Sequence, residues 1–482
     1  MTSSPPAKLF LRSCYAKACS TIVLSCGLCA LPTYAVEVVV GQADVLALDQ
    51  PRITFGLTDE STNPATLIGP RLPGSALLDT GANGILLAQQ SYLDGEDYGF
   101  VGVYNELGVA GTSPLNVHDT FGLRISDSDG VQRLVGTDVR PFGDDGLSLG
   151  SFNAIVGMPA MEGYVVEVDM RPSLSLAFQR VAFHDTMGAA TFESATQLDV
   201  GLRIVPPEYT DTEFPVEFRP TFSGLPVLDM VDMRHTGGSL SPGGQQVADD
   251  YTFLIDTGAQ TMIISGSMAA DLGIDARTPA NDGVTGADVI DFLEVGGIGG
   301  TVDMPIVVVD EFVMPTKDGI DVVWTDLNVG VLDIDGAPFD AVLGMNLFTT
   351  GYLDAVFGTG DSDPLLDKVV FDFLSTDGTA SMRLDFADAL YTPGDLDLDG
   401  DIDNADIGLV AGNFTGSGGS TTMRYIDGDV DGDGDIDNAD LGLVAGGFTG
   451  SLAEGSAYVV PEPGSLLLVT VAGLATIGRR RR

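Results

Sequence analysis

The residues best suited to chemistry stand in one short phrase that occurs twice. Leu77-Leu78-Asp79-Thr80-Gly81-Ala82 and Leu254-Ile255-Asp256-Thr257-Gly258-Ala259 each place a carboxylate behind apolar residues and lead into Thr-Gly-Ala. Each copy then returns to apolar sequence, Gly84-Ile85-Leu86-Leu87 in the first and Met262-Ile263-Ile264 in the second. A charge between two hydrophobic runs is costly unless something compensates it. The copies lie 177 residues apart, and one explanation covers both: the two aspartates meet. Carboxylates held about 3 Å apart cannot both ionise, so one keeps a proton near the working pH. The ionised member can then take a proton from water while the protonated one polarises a carbonyl. Taken singly, an Asp-Thr-Gly is also an ordinary β-turn, with Asp favoured early and Gly late.

The flanking sequence supplies elements to position such a pair. With 44% hydrophobic residues and 62 glycines in 482, the chain reads as a turn-rich β protein of several domains. Strands are expected at Val36–Val40, Ala76–Leu78, Phe152–Val156 and Tyr164–Val168, and again at Phe253–Ile255, Met262–Ile264, Ile306–Val309 and Val369–Phe373. Ala88–Leu93 and Ser267–Leu272 are the helix-like pieces. A second phrase follows each aspartate: Ala154-Ile155-Val156-Gly157-Met158 with Gly163-Tyr164, and Ala341-Val342-Leu343-Gly344-Met345 with Gly351-Tyr352. The glycines Gly157 and Gly344 follow Asp79 and Asp256 by 78 and 88 residues. Paired phrases in the same order imply duplication of a whole domain. Two lobes are expected, residues 36–195 and 196–390.

This two-lobe pattern resembles the aspartic peptidases. The Ala after each Asp-Thr-Gly and the run from Leu343 to Phe348 look more like the retropepsin-like branch than like pepsin. The resemblance covers about residues 36–389. It implies a two-lobed β-barrel fold in which Asp79 and Asp256 share a two-fold axis as the catalytic pair. Thr80 and Thr257 would bond across that axis, and Ile155-Val156-Gly157 and Val342-Leu343-Gly344 would pack beside the active-site loops. Gly81 and Gly258 let the backbone approach its neighbour closely. Ala82 and Ala259 lack the hydroxyl that pepsins offer to a catalytic carboxylate, so the pair should hold its proton to higher pH. Gly108-Val-Ala-Gly111 and Gly296-Gly-Ile-Gly-Gly300 read equally as flaps over a cleft or as ordinary surface hairpins. Tyr98 and Tyr104 lie near the first, and neither clearly matches the pepsin flap tyrosine.

Beyond Thr392 the composition turns to Asp and Gly. Two twelve-residue runs, starting 34 residues apart at Asp395 and Asp429, match the EF-hand calcium loop. The first offers Asp395, Asp397, Asp399, Asp403 and Asp406, with Gly400 at the turn and Asp401 presenting its backbone carbonyl. The second offers Asp429, Asp431, Asp433, Asp437 and Asp440, with Gly434 and Asp435 in the matching places. An acidic linker is the plainer alternative. Asp rather than Glu at position 12, with a short Leu-Val segment after it, resembles a type I dockerin. That resemblance implies an α-helical EF-hand pair over residues 391–452, structural Ca2+ and a cohesin-like partner. Asn404-Ala405 and Asn438-Ala439 lack the hydroxyl pair common at dockerin contact positions.

The ends and the charge set the setting. Lys8, Arg12 and Lys17, an apolar run from Thr21 to Leu31 and Thr33-Tyr34-Ala35 have the layout of a secretory signal peptide over residues 1–35. Cleavage there removes all four cysteines, leaving neither disulfide nor thiol nucleophile. Pro461-Glu462-Pro463, an apolar run and Arg479–Arg482 make residues 453–482 resemble the bacterial PEP-CTERM sorting signal. It implies transient membrane association, cutting by an exosortase-type enzyme and release at the cell surface or matrix. A net charge of −47 excludes a general nucleic-acid binder. His118, His184 and His235 show no ligand or triad spacing. The expected function is a surface-targeted aspartic endopeptidase acting on protein or peptide with no catalytic cofactor. The competing reading is a non-catalytic, calcium-dependent surface binding or matrix protein.

Overall fold

The computed structural model describes residues 10–12 and 36–450, apart from 44–45, 48–49, 94, 109–110, 151, 172–179, 193–195, 230, 242, 249–250, 279–283, 334–335, 351–363, 399 and 419–422. Most of the expected leader, the whole sorting signal, Gly351-Tyr352 and Asp399 therefore lie outside the described residues. Contacts divide the chain into two units, Met1–Leu390 and Tyr391–Arg482.

The first unit is mainly β, as apolar runs broken by Gly, Pro and Asp dictate. A nine-stranded sheet gathers strands between Arg52 and Val156. Strand Thr66–Leu78 ends on the buried residues Ala76, Leu77 and Leu78, which lead into Asp79. Ala154–Val156 runs parallel to it, with Ala154 opposite Ala76 and Val156 opposite Leu78. Ile85–Leu87, the strand leaving the aspartate turn, lies antiparallel on the other side of Ala154–Val156. The second phrase is thus threaded between the two strands that flank the first aspartate.

The other copy is built the same way. Ala341–Gly344 runs parallel to Phe253–Asp256 and antiparallel to Ile263–Ile264. In both copies the threading ends on a glycine, for a steric reason. A Cβ on Gly157 would overlap the carbonyls of Ala82 and Gly84, and one on Gly344 would overlap the Thr261 carbonyl. The close approach is used for bonding: Gly157 N–H donates to Gly84 O at 3.0 Å and Met158 N–H to Ala82 O at 2.9 Å. Met345 N–H donates to Ala259 O at 2.9 Å in the second copy.

A sixteen-stranded sheet contains the second copy and crosses the expected lobe boundary. Val165–Asp169 pairs antiparallel with Leu366–Asp372, placing Val165 opposite Asp372 and Asp169 opposite Lys368. Val36–Gly41 likewise runs parallel with Ile320–Val331. The buried Lys368 ammonium lies 2.9 Å from Glu167 and donates to Thr191 O at 2.6 Å. Every strand expectation overlaps an observed strand, although Phe152, Asn153, Tyr164, Met262 and Phe373 fall just outside theirs. Ala88–Leu93 contains only a 3-10 turn, Gln89–Tyr92, and the second helical piece is Gly266–Asp271, whose first turn donates to Ser265 Oγ.

The second unit repeats internally. Helices Asn404–Gly412 and Asn438–Gly447 each follow an aspartate-rich loop and are capped by its ninth residue, Asp403 or Asp437. Ile402 N–H donates to Thr449 Oγ1 and Ile436 N–H to Thr415 Oγ1, both at 2.8 Å. Each loop is thereby tied to the segment beyond the other helix.

Adding a methyl group at Gly157 tests the threading. Gly157→Ala should destabilise the protein by about 1–3 kcal/mol, because backbone carbonyls cannot give way as a side-chain tip would. Denaturant unfolding should show it as a lowered midpoint, and a midpoint unchanged within error would rule out the steric requirement.

Candidate active site

The two aspartate turns are interlocked. Thr80 Oγ1 donates to Ile255 O at 2.7 Å and accepts from Thr257 N–H at 3.0 Å. Thr257 Oγ1 donates to Leu78 O at 2.8 Å and accepts from Thr80 N–H at 3.0 Å. Both threonines are 1% exposed, so these bonds form where water does not compete. The carboxyls lie against each other's turns. A Cβ on Gly81 would overlap the Asp256 carboxyl, and one on Gly258 would overlap that of Asp79. Gly81 N–H donates to Asp79 Oδ1 at 2.8 Å; Gly258 and Ala259 N–H donate to Asp256 Oδ1 at 2.7 and 3.0 Å. The structure thus brings together Asp79, Thr80, Gly81, Asp256, Thr257 and Gly258.

Burial pushes Asp79 well above the usual carboxylate range, and the charge of Asp256 and the hydrogen bond between the two add to the rise. Asp256 is also raised by burial, with the bond to Asp79 and the Gly258 and Ala259 N–H groups opposing. One proton is therefore retained by the pair as a whole.

Both aspartates line a cleft of about 610 Å³. Gly102–Gly108 with Gly111–Val117, and Asp291–Gly297 with Gly300–Met314, form antiparallel hairpins that pair up to Gly108–Gly111 and Gly297–Gly300. Leu107, Gly108, Gly297 and Ile298 line the same cleft, and a Cβ on Gly108 would overlap Ile298. The two hairpins therefore approach each other at Gly108 and Ile298, and both line the cleft. Tyr104 belongs to the first hairpin, but its ring packs edge-on against Phe142, Phe214 and Phe222, and its hydroxyl bonds Thr210 at 3.1 Å. Tyr98 instead donates to Ser91 O.

Residues 243–347 match the family model for aspartyl proteases. The matched segment contains Asp256-Thr257-Gly258 and Val342-Leu343-Gly344. The match supports an aspartyl protease-like domain in this part of the chain. No curated protein matches the chain. The first copy, outside the match, is tied to the second by the hydroxyl exchange described above.

Glu106 is the cleft residue that sequence reading missed. It is 7% exposed, lines the cleft and leaves Oε2 without a hydrogen-bond partner. The available signal was its two-residue spacing from Tyr104 in a strand running toward a Gly-rich turn.

The aspartate loops also gather their acids. Asp395, Asp397 and Asp406 converge, as do Asp429, Asp431 and Asp433, and Asp435, Asp437 and Asp440. Asp406 accepts from Leu396 and Asp403 N–H at 2.6 and 2.7 Å, and Asp440 from Val430 and Asp437 N–H at 2.7 and 2.8 Å. Gly400 and Gly434 turn at φ 95° and 91°, where a side chain would be strained. Burial and then neighbouring carboxylates raise Asp429 and Asp431. An all-oxygen donor set around a tight turn fits a hard cation such as Ca2+. Asp401 and Asp435 are buried; Asp435 accepts from Gly418 N–H. The histidines lie apart from one another and from this chemistry: His118 bonds Tyr92 and Gly99, His184 bonds Glu167, and His235 faces Asp310.

Thr80→Val keeps the shape and removes the hydroxyl, leaving Ile255 O and Thr257 N–H buried without this partner. The expected cost is about 2–4 kcal/mol by chemical denaturation, with Thr80→Ser near wild type. Equal stability of the Val and Ser variants would show that the exchange does not hold the halves together.

Proposed function

We propose that the chain is an aspartic endopeptidase, exported and displayed at the cell surface, with Asp79 and Asp256 as its catalytic pair. The observation that carries this reading is the reciprocal exchange of hydroxyls between Thr80 and Thr257, which holds the two aspartate turns together at one cleft. A water held between them loses a proton to the ionised carboxylate as its oxygen attacks the scissile carbonyl carbon. The protonated carboxyl gives its proton to the carbonyl oxygen, forming a tetrahedral diol. As the diol collapses, one hydroxyl returns its proton to the ionised carboxylate and re-forms the carbonyl, the C–N bond breaks, and the other carboxyl passes its proton to the leaving nitrogen. Internal bonds are favoured because the described lining residues include no Lys, Arg or His to hold a peptide's terminal carboxylate.

Activity needs one proton on the pair. It rises with pH as the first carboxyl ionises and falls as the second loses its proton. The raised Asp79 moves the falling limb upward, and no hydroxyl at Ala82 or Ala259 offsets it. Purified protein should cut a denatured protein at mildly acidic to near-neutral pH. Asp79→Asn or Asp256→Asn should each lower the rate at least about 10³-fold. Cleavage surviving both substitutions, or an optimum near pH 2, would overturn the corresponding part of this reading.

In the second unit, Asp395, Asp397 and Asp406, with Asp429, Asp431 and Asp440 in the second loop, are proposed to hold structural Ca2+. Bound there, the ion would neutralise the clustered acids and tie each loop to its helix. The cohesin-like partner, exosortase-type processing and surface release belong to the same proposal and rest on the terminal and loop resemblances. Calorimetric titration of metal-stripped protein with Ca2+ should reveal two sites, and Asp429→Asn with Asp431→Asn should remove one. Absence of binding at millimolar Ca2+ would leave the loops an acidic linker.

A further inference from the structure

We propose that the cleft selects peptides bearing a lysine or arginine side chain, and that Glu106 is the residue that receives it. This deepens the peptidase reading above and rests on it.

The hairpin strand Gly102–Gly108 fixes where Glu106 points. Alternation puts Tyr104 and Glu106 on one face of the strand. The Tyr104 ring is held by three aromatic neighbours and its hydroxyl by Thr210, so that face cannot turn outward locally. Glu106 is consequently 7% exposed in the cleft wall, with Oε2 unpartnered. A buried carboxyl oxygen without a partner is costly in any folded protein, and a ligand donor is one way to relieve it.

The rest of the cleft narrows the donor to a cation. Glu208 on the approach to the aromatic cluster and Glu294 on the second hairpin also line it, together with the aspartate pair. Among the described lining residues there is no Lys, Arg or His to balance them. A basic side chain is drawn to such a wall, and an acidic one is repelled. Leu107 and Ile298 also line the cleft and offer apolar surface to the stem of such a side chain. Burial pushes Glu106 up to about 8, with the Leu107 N–H opposing, so a bound cation supplies the counter-charge that the empty wall lacks. A neutral Glu106 that merely donates to a substrate carbonyl would be indifferent to the side chain, and this separates the two roles.

The test uses the full-length protein and N-acetylated, C-amidated peptides, so that no terminal charge mimics a side chain. Lys, Arg, norleucine and Glu are placed in turn at each position flanking the cleaved bond. At one position, Lys or Arg should exceed norleucine about 10- to 100-fold in kcat/KM, and Glu should be poorest. Glu106→Gln should reduce the Lys-to-norleucine ratio to within about threefold, while Glu106→Asp, which keeps the charge, should retain a preference. Cleavage without preference, or a preference that survives Glu106→Gln, overturns the proposal and leaves the peptidase reading standing. If the wild-type protein cuts nothing, the peptidase reading fails, and binding of the labelled peptides to the Asp256→Asn protein decides this one by fluorescence anisotropy. Tighter binding of Lys than norleucine, lost in the Glu106→Gln double variant, supports it; equal binding overturns it. Should Glu106→Gln not fold, wild type and Glu106→Asp are compared in the same way at low and high salt. Salt that weakens Lys binding but not norleucine binding then supports the proposal, and equal salt dependence overturns it.

Discussion

Two carboxylates buried side by side repel each other, and the structure depends on containing that repulsion at the junction of its two copies. The exchange between Thr80 and Thr257 does this with four hydrogen bonds in a dry environment. Each hydroxyl bonds backbone belonging to the opposite copy, so neither turn is complete alone. The interlock also explains the glycines. Gly81 and Gly258 must let the opposing carboxyl lie where a side chain would otherwise be. Partial protonation then lowers the repulsion that remains.

An interlock at one point would act as a hinge if nothing else joined the halves. The pairing of Val165–Asp169 with Leu366–Asp372 supplies a second, extended connection by ordinary strand hydrogen bonds. Lys368 and Glu167 reinforce it with a buried ion pair, and the Thr191 carbonyl takes another ammonium proton. Such a pair adds little net stability over apolar packing, yet losing one partner leaves a buried charge. Its effect is to penalise a slipped register between these strands.

The aspartate phrases and their second phrases were legible because both are local: an acid in an apolar context, and two hydrophobic residues ending on glycine. Repetition turned weak turn signals into a statement about a duplicated unit. The cross-boundary sheet was not legible, since nothing in Val165–Asp169 names a partner nearly 200 residues away. The hairpins were half legible. Gly108–Gly111 and Gly296–Gly300 read as turns, but what they cover depends on tertiary placement. Glu106 was hidden for the same reason: period-2 alternation gives its face, and only the aromatic anchoring of Tyr104 shows that the face is inward.

The acids of this chain meet burial in two different ways, and the backbone decides which. In the loops of the second unit, Asp406 and Asp440 accept from N–H donors of preceding loop residues, and other carboxylates converge beside them. That arrangement gathers several carboxylates around one tight turn, a donor set suited to a hard cation. At Glu106 one oxygen has no hydrogen-bond partner, the opposing N–H comes from Leu107, and burial dominates. A carboxyl in such a wall stays protonated until something positive arrives. Identical functional groups would thus serve as an ion cage in one unit and as a receptor for a transient charge in the other, if both proposals hold.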